Sequence, residues 1–308
     1  MIVPKKNSTW ARLVFSLNGT IATKIWMRLC AVVIFAVIVT VLEVTHNKEI
    51  NPLTTQHFSL ITLALSIFLG FRNNTSYDRF WEGRKLWGGV VNMSRNFVRQ
   101  TYSFICQEEA EAFQKRLSMA AAAYPHLLRM HLRSEWEPEK IQNLIPQEVC
   151  DSLIPEQNRP IALLHWMGME LQSARKKDWL HVYHQPFLEK TLSNLCDLQG
   201  GCERIRATPI PYSYNILLHR IVALYCFALP LGLVTELGFF TPVVVGVVSY
   251  AFLGLDAIGD EIENPFEKDP NDLPLCAIAH MIESNIRQRI GEEPLELLQP
   301  DPKTDLLL

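Results

Sequence analysis

Four stretches without a single Asp, Glu, Lys or Arg constrain this chain more than any other feature. They are Leu29 to Leu42, Ile50 to Phe71, Ile221 to Thr235 and Leu237 to Leu255. A helix that crosses a bilayer needs about 20 predominantly apolar residues, whereas about 10–14 suit a buried helix of a soluble protein. The second and fourth stretches are long enough unaided. The first borrows Trp26 and Met27, and the third Ile216 to Leu218, with Arg28, His219 and Arg220 snorkelling or facing protein. Four membrane-crossing helices follow. Four buried helices of a soluble protein are the competing reading, and such a protein would extract without detergent.

The placement of charge supports a membrane and gives a direction. Residues 1–28 carry Lys5, Lys6, Arg12, Lys24 and Arg28 and no acid, the first loop carries Glu43, Lys48 and Glu49, and Arg72, Arg79, Arg84 and Lys85 follow the second stretch. Positive charge on both outer flanks of a hairpin, with a slightly acidic loop between, places the N-terminus inside. The second hairpin turns at Glu236, so both termini and the middle of the chain are expected in the cytoplasm. The first apolar run has no small-residue cleavage site behind it and reads as a retained anchor rather than a signal peptide.

The organisation expected is therefore a cytosolic segment 1–28, a hairpin 29–71, a helical cytosolic region 72–215, a second hairpin 216–255 and a cytosolic segment 256–308. Phe80, Trp87, Val90, Val91, Phe97 and Val98 recur at helical spacing, an amphipathic stripe. No proline interrupts the chain between Leu53 and Tyr124, so the second apolar helix continues out of the membrane; about 50 residues would reach about 75 Å. Pro125, Pro138, Pro146, Pro155, Pro160 and Pro186 then punctuate shorter helices. The acidic tail after Glu292 reads as loosely ordered. The fold class expected is all-α.

Chemistry is sparse. No G-x-S-x-G, P-loop, H-E-x-x-H or dinucleotide fingerprint occurs, so neither an enzyme nor a cofactor is expected. A net charge of −3 argues against a nucleic-acid partner. The cysteines number 7, scattered and without C-x-x-C pairing, which fits free thiols in a reducing compartment, Cys196 and Cys202 reading as a buried pair. His181 and His184 are three apart, but no carboxylate or cysteine accompanies them at zinc-ligand spacing.

One segment is more specific. Phe68-Leu69-Gly70-Phe71-Arg72-Asn73 is followed by Ser76-Tyr77-x-Arg79-Phe80, Glu82, Arg84 and Leu86-Trp87-Gly88. Further on come Gly200-Gly201-Cys202-Glu203-Arg204, Thr208-Pro209-Ile210-Pro211, Glu263-Asn264-Pro265-Phe266 and Asn271-Asp272-Leu273-Pro274-Leu275. In these blocks and their order the chain resembles the bestrophin family, most closely its bacterial members; residues 105–195 match loosely.

The resemblance implies a homopentameric ion channel in the bacterial inner membrane, its protomers assembled around a central pore in contact with membrane lipid. It implies a narrow apolar neck on the second helix, at Leu63, Ile67 and Phe71, and a second constriction at the cytosolic mouth, which counting back from Gly200 places at Tyr183. A spacing of four and four keeps the neck residues on one helix face, although such a stripe also suits a lipid- or core-facing surface. Tyr183 has packing between helices as its alternative.

An apolar neck conducts by wetting rather than by ligation. Polar groups near it are Thr62 and Ser66, for which a helix–helix bond or a back-bond to the helix is the alternative. Following the bacterial relatives, the expected permeant ions are monovalent cations such as sodium; an anion (chloride) channel of the same architecture and a non-conducting membrane scaffold are the competing readings. The loop with Asp269 and Asp272 overlaps the calcium loop of animal relatives. Lys268 and Pro270 interrupt its acidic run, so it reads as an ordinary acidic turn, with those two aspartates as the metal candidates.

Overall fold

The protein is described from a computed structural model covering residues 1–3, 10, 19–46, 55–302 and 304–307. Lys5, Lys6 and Arg12, and Lys48, Glu49 and residues 50–54 of the first hairpin, lie outside the described residues. The fold is all-helical: α1 (Ala22–His46), α2 (Thr55–Phe104), α3 (Glu111–Arg133), α4 (Gln147–Leu153), α5 (Arg159–Lys176), α6 (Gln185–Ala207), α7 (Tyr212–Leu237), α8 (Thr241–Glu263) and α9 (Leu275–Arg289). Among the described residues the single β pairing is an isolated bridge between Ile2 and Leu306.

The expectation of one unbroken second helix holds, and α2 runs for 50 residues. With no proline inside it, no i→i−4 bond is forfeited, and its glycines cost too little to stop it. Two compact units divide the chain, one made of Pro4–Phe80 with Pro209–Asn264, the other of Met1–Val3, Trp81–Thr208 and Pro265–Leu308.

In the first unit α1 packs on α7 and α8, and α7 packs on α8. Phe58, Leu65 and Leu69 of α2 join Val222, Cys226 and Leu229 of α7 in its core. The hairpin between α7 and α8 turns at Gly238, not at Glu236: α7 continues through Leu237, and only Gly238, at φ 48°, adopts the left-handed backbone that reverses the chain. Two apolar runs, Ala22–Thr45 and Tyr212–Glu263, are long enough to cross a membrane, and only 28% and 22% of their most apolar stretches are buried. Ile34, Ile38, Leu224, Phe227, Val243 and Val247 all point outward. So much apolar surface in contact with water would drive aggregation, whereas a bilayer covers it.

In the second unit α3 is buried on nearly every side, against α5, α6 and α9. The run Ala120 to Ala123 is wholly buried, small side chains letting the neighbours approach closely. Pro125 does not end a helix as expected but sits inside α3. Packing on all sides outweighs the roughly 3 kcal/mol an interior proline costs. Pro138, Pro160 and Pro186 do mark helix starts. Trp87, Val90, Val91, Phe97 and Val98 of α2 form the buried stripe their spacing predicts.

The tail after Glu292 is docked rather than loose. Ser284 donates to the Leu295 carbonyl at 2.9 Å, and His280 meets that of Glu296 at 2.8 Å. The Met1 ammonium donates to the Leu307 carbonyl at 2.6 Å, and the Val3 amide to that of Asp305 at 2.9 Å. All the cysteines are free, as expected, but only Cys202 of the expected buried pair is buried; Cys196 is exposed. Burial pushes the Cys202 thiol up to about 12.

Candidate functional site

The upper part of α2 has two contrasting faces. Leu65 and Leu69 are 2% and 0% exposed against α7 and α8, whereas Leu63, Ile67 and Phe71 are 62%, 50% and 64% exposed. Four-residue steps carry the latter three along one stripe. The structure thus brings them together on one outward-facing stripe of α2.

Thr62 lies at the edge of that stripe, and its alternative role is the one the structure supplies. Its hydroxyl donates to the Phe58 carbonyl at 2.6 Å, which leaves the oxygen to accept from the Tyr225 hydroxyl of α7, also at 2.6 Å. Ser66 back-bonds to the Thr62 carbonyl at 2.7 Å while its side chain stays exposed. Thr62 is committed to helix packing; Ser66 retains acceptor capacity toward the outside.

Immediately after Phe71, Arg72 is buried completely. By charge placement it counts among the positive flanks of the first hairpin. Instead its Nη1 donates to the Asp256 carboxylate at 2.8 Å and to the Asp256 carbonyl at 3.0 Å, and its Nη2 donates to Asp260. Asp256 reaches His219 Nδ1 through its other oxygen at 2.8 Å, and His219 Nε2 lies 3.5 Å from Asp260. His219, Asp256 and Asp260 hold ligand-type atoms within 4.8 Å of one another. They form the metal-capable group among the described residues, but the guanidinium already supplies a cation to both carboxylates. A sequence signal existed: one basic and two acidic residues, the acids four apart, at the ends of neighbouring apolar stretches. Unpaired, each would be expensive there.

Tyr183 lies between α5 and α6 and is 77% exposed, not packed between helices. Its amide donates to His181 Nδ1 at 3.3 Å, and its ring centroid stands 5.3 Å from that imidazole. His184 stacks on Phe104 at 4.6 Å and meets His181 at 5.8 Å. Those two histidines form ring contacts, and no carboxylate or thiol joins them in a metal-capable group among the described residues.

Asp269 and Asp272 close a turn. The Asp272 carboxylate accepts the Asp269 amide at 2.6 Å and is 2% exposed, while Lys268 pairs with Glu135. The turn is cinched where the Leu273 amide bonds the Pro265 carbonyl at 2.9 Å.

Elsewhere in that unit Arg129, 3% exposed, bonds Glu137 at 2.8 Å. The guanidinium holds the Glu137 carboxyl below its usual range.

The family model described as bacterial/fungal bestrophin protein matches residues 1–288. A voltage-dependent anion channel-forming protein of Ralstonia nicotianae is 36% identical over 294 residues, 96% of either chain. YneE of Escherichia coli, described in the same words, is 33% identical over 295 residues, 94% of this chain and 95% of that one. A solved bacterial bestrophin homolog from Klebsiella pneumoniae superposes with a TM-score of 0.82 at 34% identity, covering 88% of this chain and 100% of that one.

Proposed function

We propose that this chain, which belongs to the bacterial/fungal bestrophin family, forms a homopentameric channel of the bacterial inner membrane and conducts monovalent cations. Leu63, Ile67 and Phe71 form its neck. One observation carries the reading: three large apolar side chains sit outward on the helix that presents a packed core on its other side. Five copies around an axis convert that stripe into three stacked apolar rings. Water between such rings loses hydrogen-bonding partners, so the neck resists hydration until the rings part, and wetting gates the flow of ions.

Residues 29–71 and 216–255 cross the membrane in this reading, and 1–28, 72–215 and 256–308 are cytoplasmic. Tyr183 forms the cytosolic aperture, supported by its exposure on a turn. Charge preference follows from the same face of α2. Below Phe71 the first ionisable side chain on it is Asp78, about two turns on and exposed. A ring of carboxylates there concentrates cations at the neck. The description of the Ralstonia and Escherichia relatives as anion channel-forming favours the opposite preference in the same architecture.

A planar-bilayer recording of the purified protein under a sodium chloride gradient decides. A reversal potential near the sodium equilibrium potential supports the cation reading, one near the chloride potential replaces it with the anion reading, and the absence of current refutes a channel.

A further inference from the structure

Arg72 is the most buried charged side chain among the described residues, and it follows directly on Phe71. We propose that it is the positioning residue of the neck: held by Asp256 and Asp260 of α8, it sets the rotation of α2 that turns Leu63, Ile67 and Phe71 away from the subunit core. The proposal rests on the neck reading.

Three observations meet at this level of the helix. The first is the fork itself, with one guanidinium nitrogen on the Asp256 carboxylate and carbonyl and another on Asp260. The second is Asn73, whose Nδ2 donates to the Leu255 carbonyl of α8 at 3.1 Å. The third is Gly259. A Cβ there would stand 2.5 Å from Asn73 Oδ1 and 3.4 Å from Arg72 Cζ, so the missing side chain is what lets α8 come this close. His219 of α7 completes the clamp through Asp256.

Above this point α2 is held by Phe58, Leu65 and Leu69, together with the Thr62–Tyr225 bond. Apolar contact is non-directional and tolerates a helix turning about its axis. A guanidinium fork does not, because its donors have a fixed planar geometry and the charge has nowhere else to go in an apolar setting. Rotation of α2 would have to break a completely buried ion pair. Opening of the neck therefore proceeds above Arg72, by motion of residues 55–71, with the clamp intact.

The test reads rotation directly. Consecutive residues lie about 100° apart on a helix, so Ser66 and Phe68 flank Ile67 on either side. Ile67→Cys, Ser66→Cys and Phe68→Cys are each made in the full-length channel and exposed to a charged thiol reagent during recording, with the parent as the background for native thiols. With Arg72 present, Ile67→Cys is expected to be modified about ten-fold faster than either flank: all three positions are exposed on the single chain, but in the neck reading only Ile67 faces the axis, while Ser66 and Phe68 turn toward neighbouring protomers that keep the reagent from their thiols. Adding Arg72→Met is expected to erase most of that contrast, and Arg72→Lys, which keeps the charge but not the fork, to preserve part of it.

An assembled Arg72→Met channel with undiminished contrast overturns the proposal, because a merely stabilising ion pair would lower yield and leave the contrast untouched. If Arg72→Met fails to assemble, Asp260→Asn decides in the same way, its carboxylate being 41% exposed and safer to alter: a narrowed contrast supports the clamp and an unchanged one refutes it. Slow modification of Ile67→Cys in the presence of Arg72 refutes the neck reading itself, and the clamp with it.

Discussion

Phe71 and Arg72 are neighbours in sequence and opposites in environment: the aromatic ring is 64% exposed and the guanidinium 0%. The arrangement inverts the usual partition of apolar and charged groups. It is stable because Asp256 and Asp260 neutralise the arginine from an adjacent helix, while the phenylalanine needs cover from outside the subunit. A soluble monomer would have no use for such a pair of positions.

Shortening Leu63, Ile67 and Phe71 together to alanine should raise open probability and leave assembly intact. Each side chain is at least half exposed, so truncation should cost about 0.5 kcal/mol per site rather than the roughly 2–5 kcal/mol of a buried position. Size-exclusion chromatography and single-channel recording measure the two effects. An intact pentamer with parental currents would argue against a neck, and a collapsed one would show the residues to be packing.

Tyr183→Ala should change conductance or ion preference without touching stability. The side chain is 77% exposed and closes no cavity, so the melting temperature should stay within measurement error. Unaltered currents would remove Tyr183 from the ion path.

Tyr225→Phe should lower thermal stability by about 1 kcal/mol, the usual net worth of a buried hydrogen bond. Tyr225 is 5% exposed and its hydroxyl lies 2.6 Å from Thr62 Oγ1. Thr62→Val should lose a similar amount, and the double variant clearly less than the sum of the two. Simple additivity in a thermal-shift series would mean the bond contributes nothing.

Acid sensitivity should depend partly on Glu137. The Arg129 bond holds its carboxyl below the ordinary value of 4.5. A folded pKa below the unfolded one means stability that is present above pH 4.5 and lost as the pH falls through the lower folded value. Denaturant unfolding of Glu137→Gln should therefore fall off less steeply below pH 4.5 than that of the parent. Parallel curves would contradict the assignment.

Much of the architecture was legible beforehand because it depends on local physics. The described parts of the charge-free stretches became α1, the upper part of α2, α7 and α8, since an apolar run of that length has no other stable form in a bilayer. The proline-free interval became a single 50-residue helix, and the stripe through Trp87 and Phe97 faced inward as its period demands. Where the reading went astray, the missing information was non-local. Pro125 is a helix breaker by itself, yet α3 is enclosed by three neighbours and continues through it. The proline-containing tail carries little apolar periodicity, yet carbonyls at Leu295 and Glu296 find Ser284 and His280. Thr62 is a candidate for polar lining until the partner on α7 is known.

The sequence alone determined where the long apolar helices lie, that no proline breaks α2, and that Leu63, Ile67 and Phe71 share one face. Those properties follow from the 3.6-residue period and from transfer free energies, which act residue by residue. Tertiary structure decided which face of α2 looks outward and where the charge at Arg72 goes. Both depend on Asp256 and Asp260, more than 180 residues further along the chain. A buried charge settles only where folding brings a counter-charge within a few ångströms, and no local property of the chain specifies that distance.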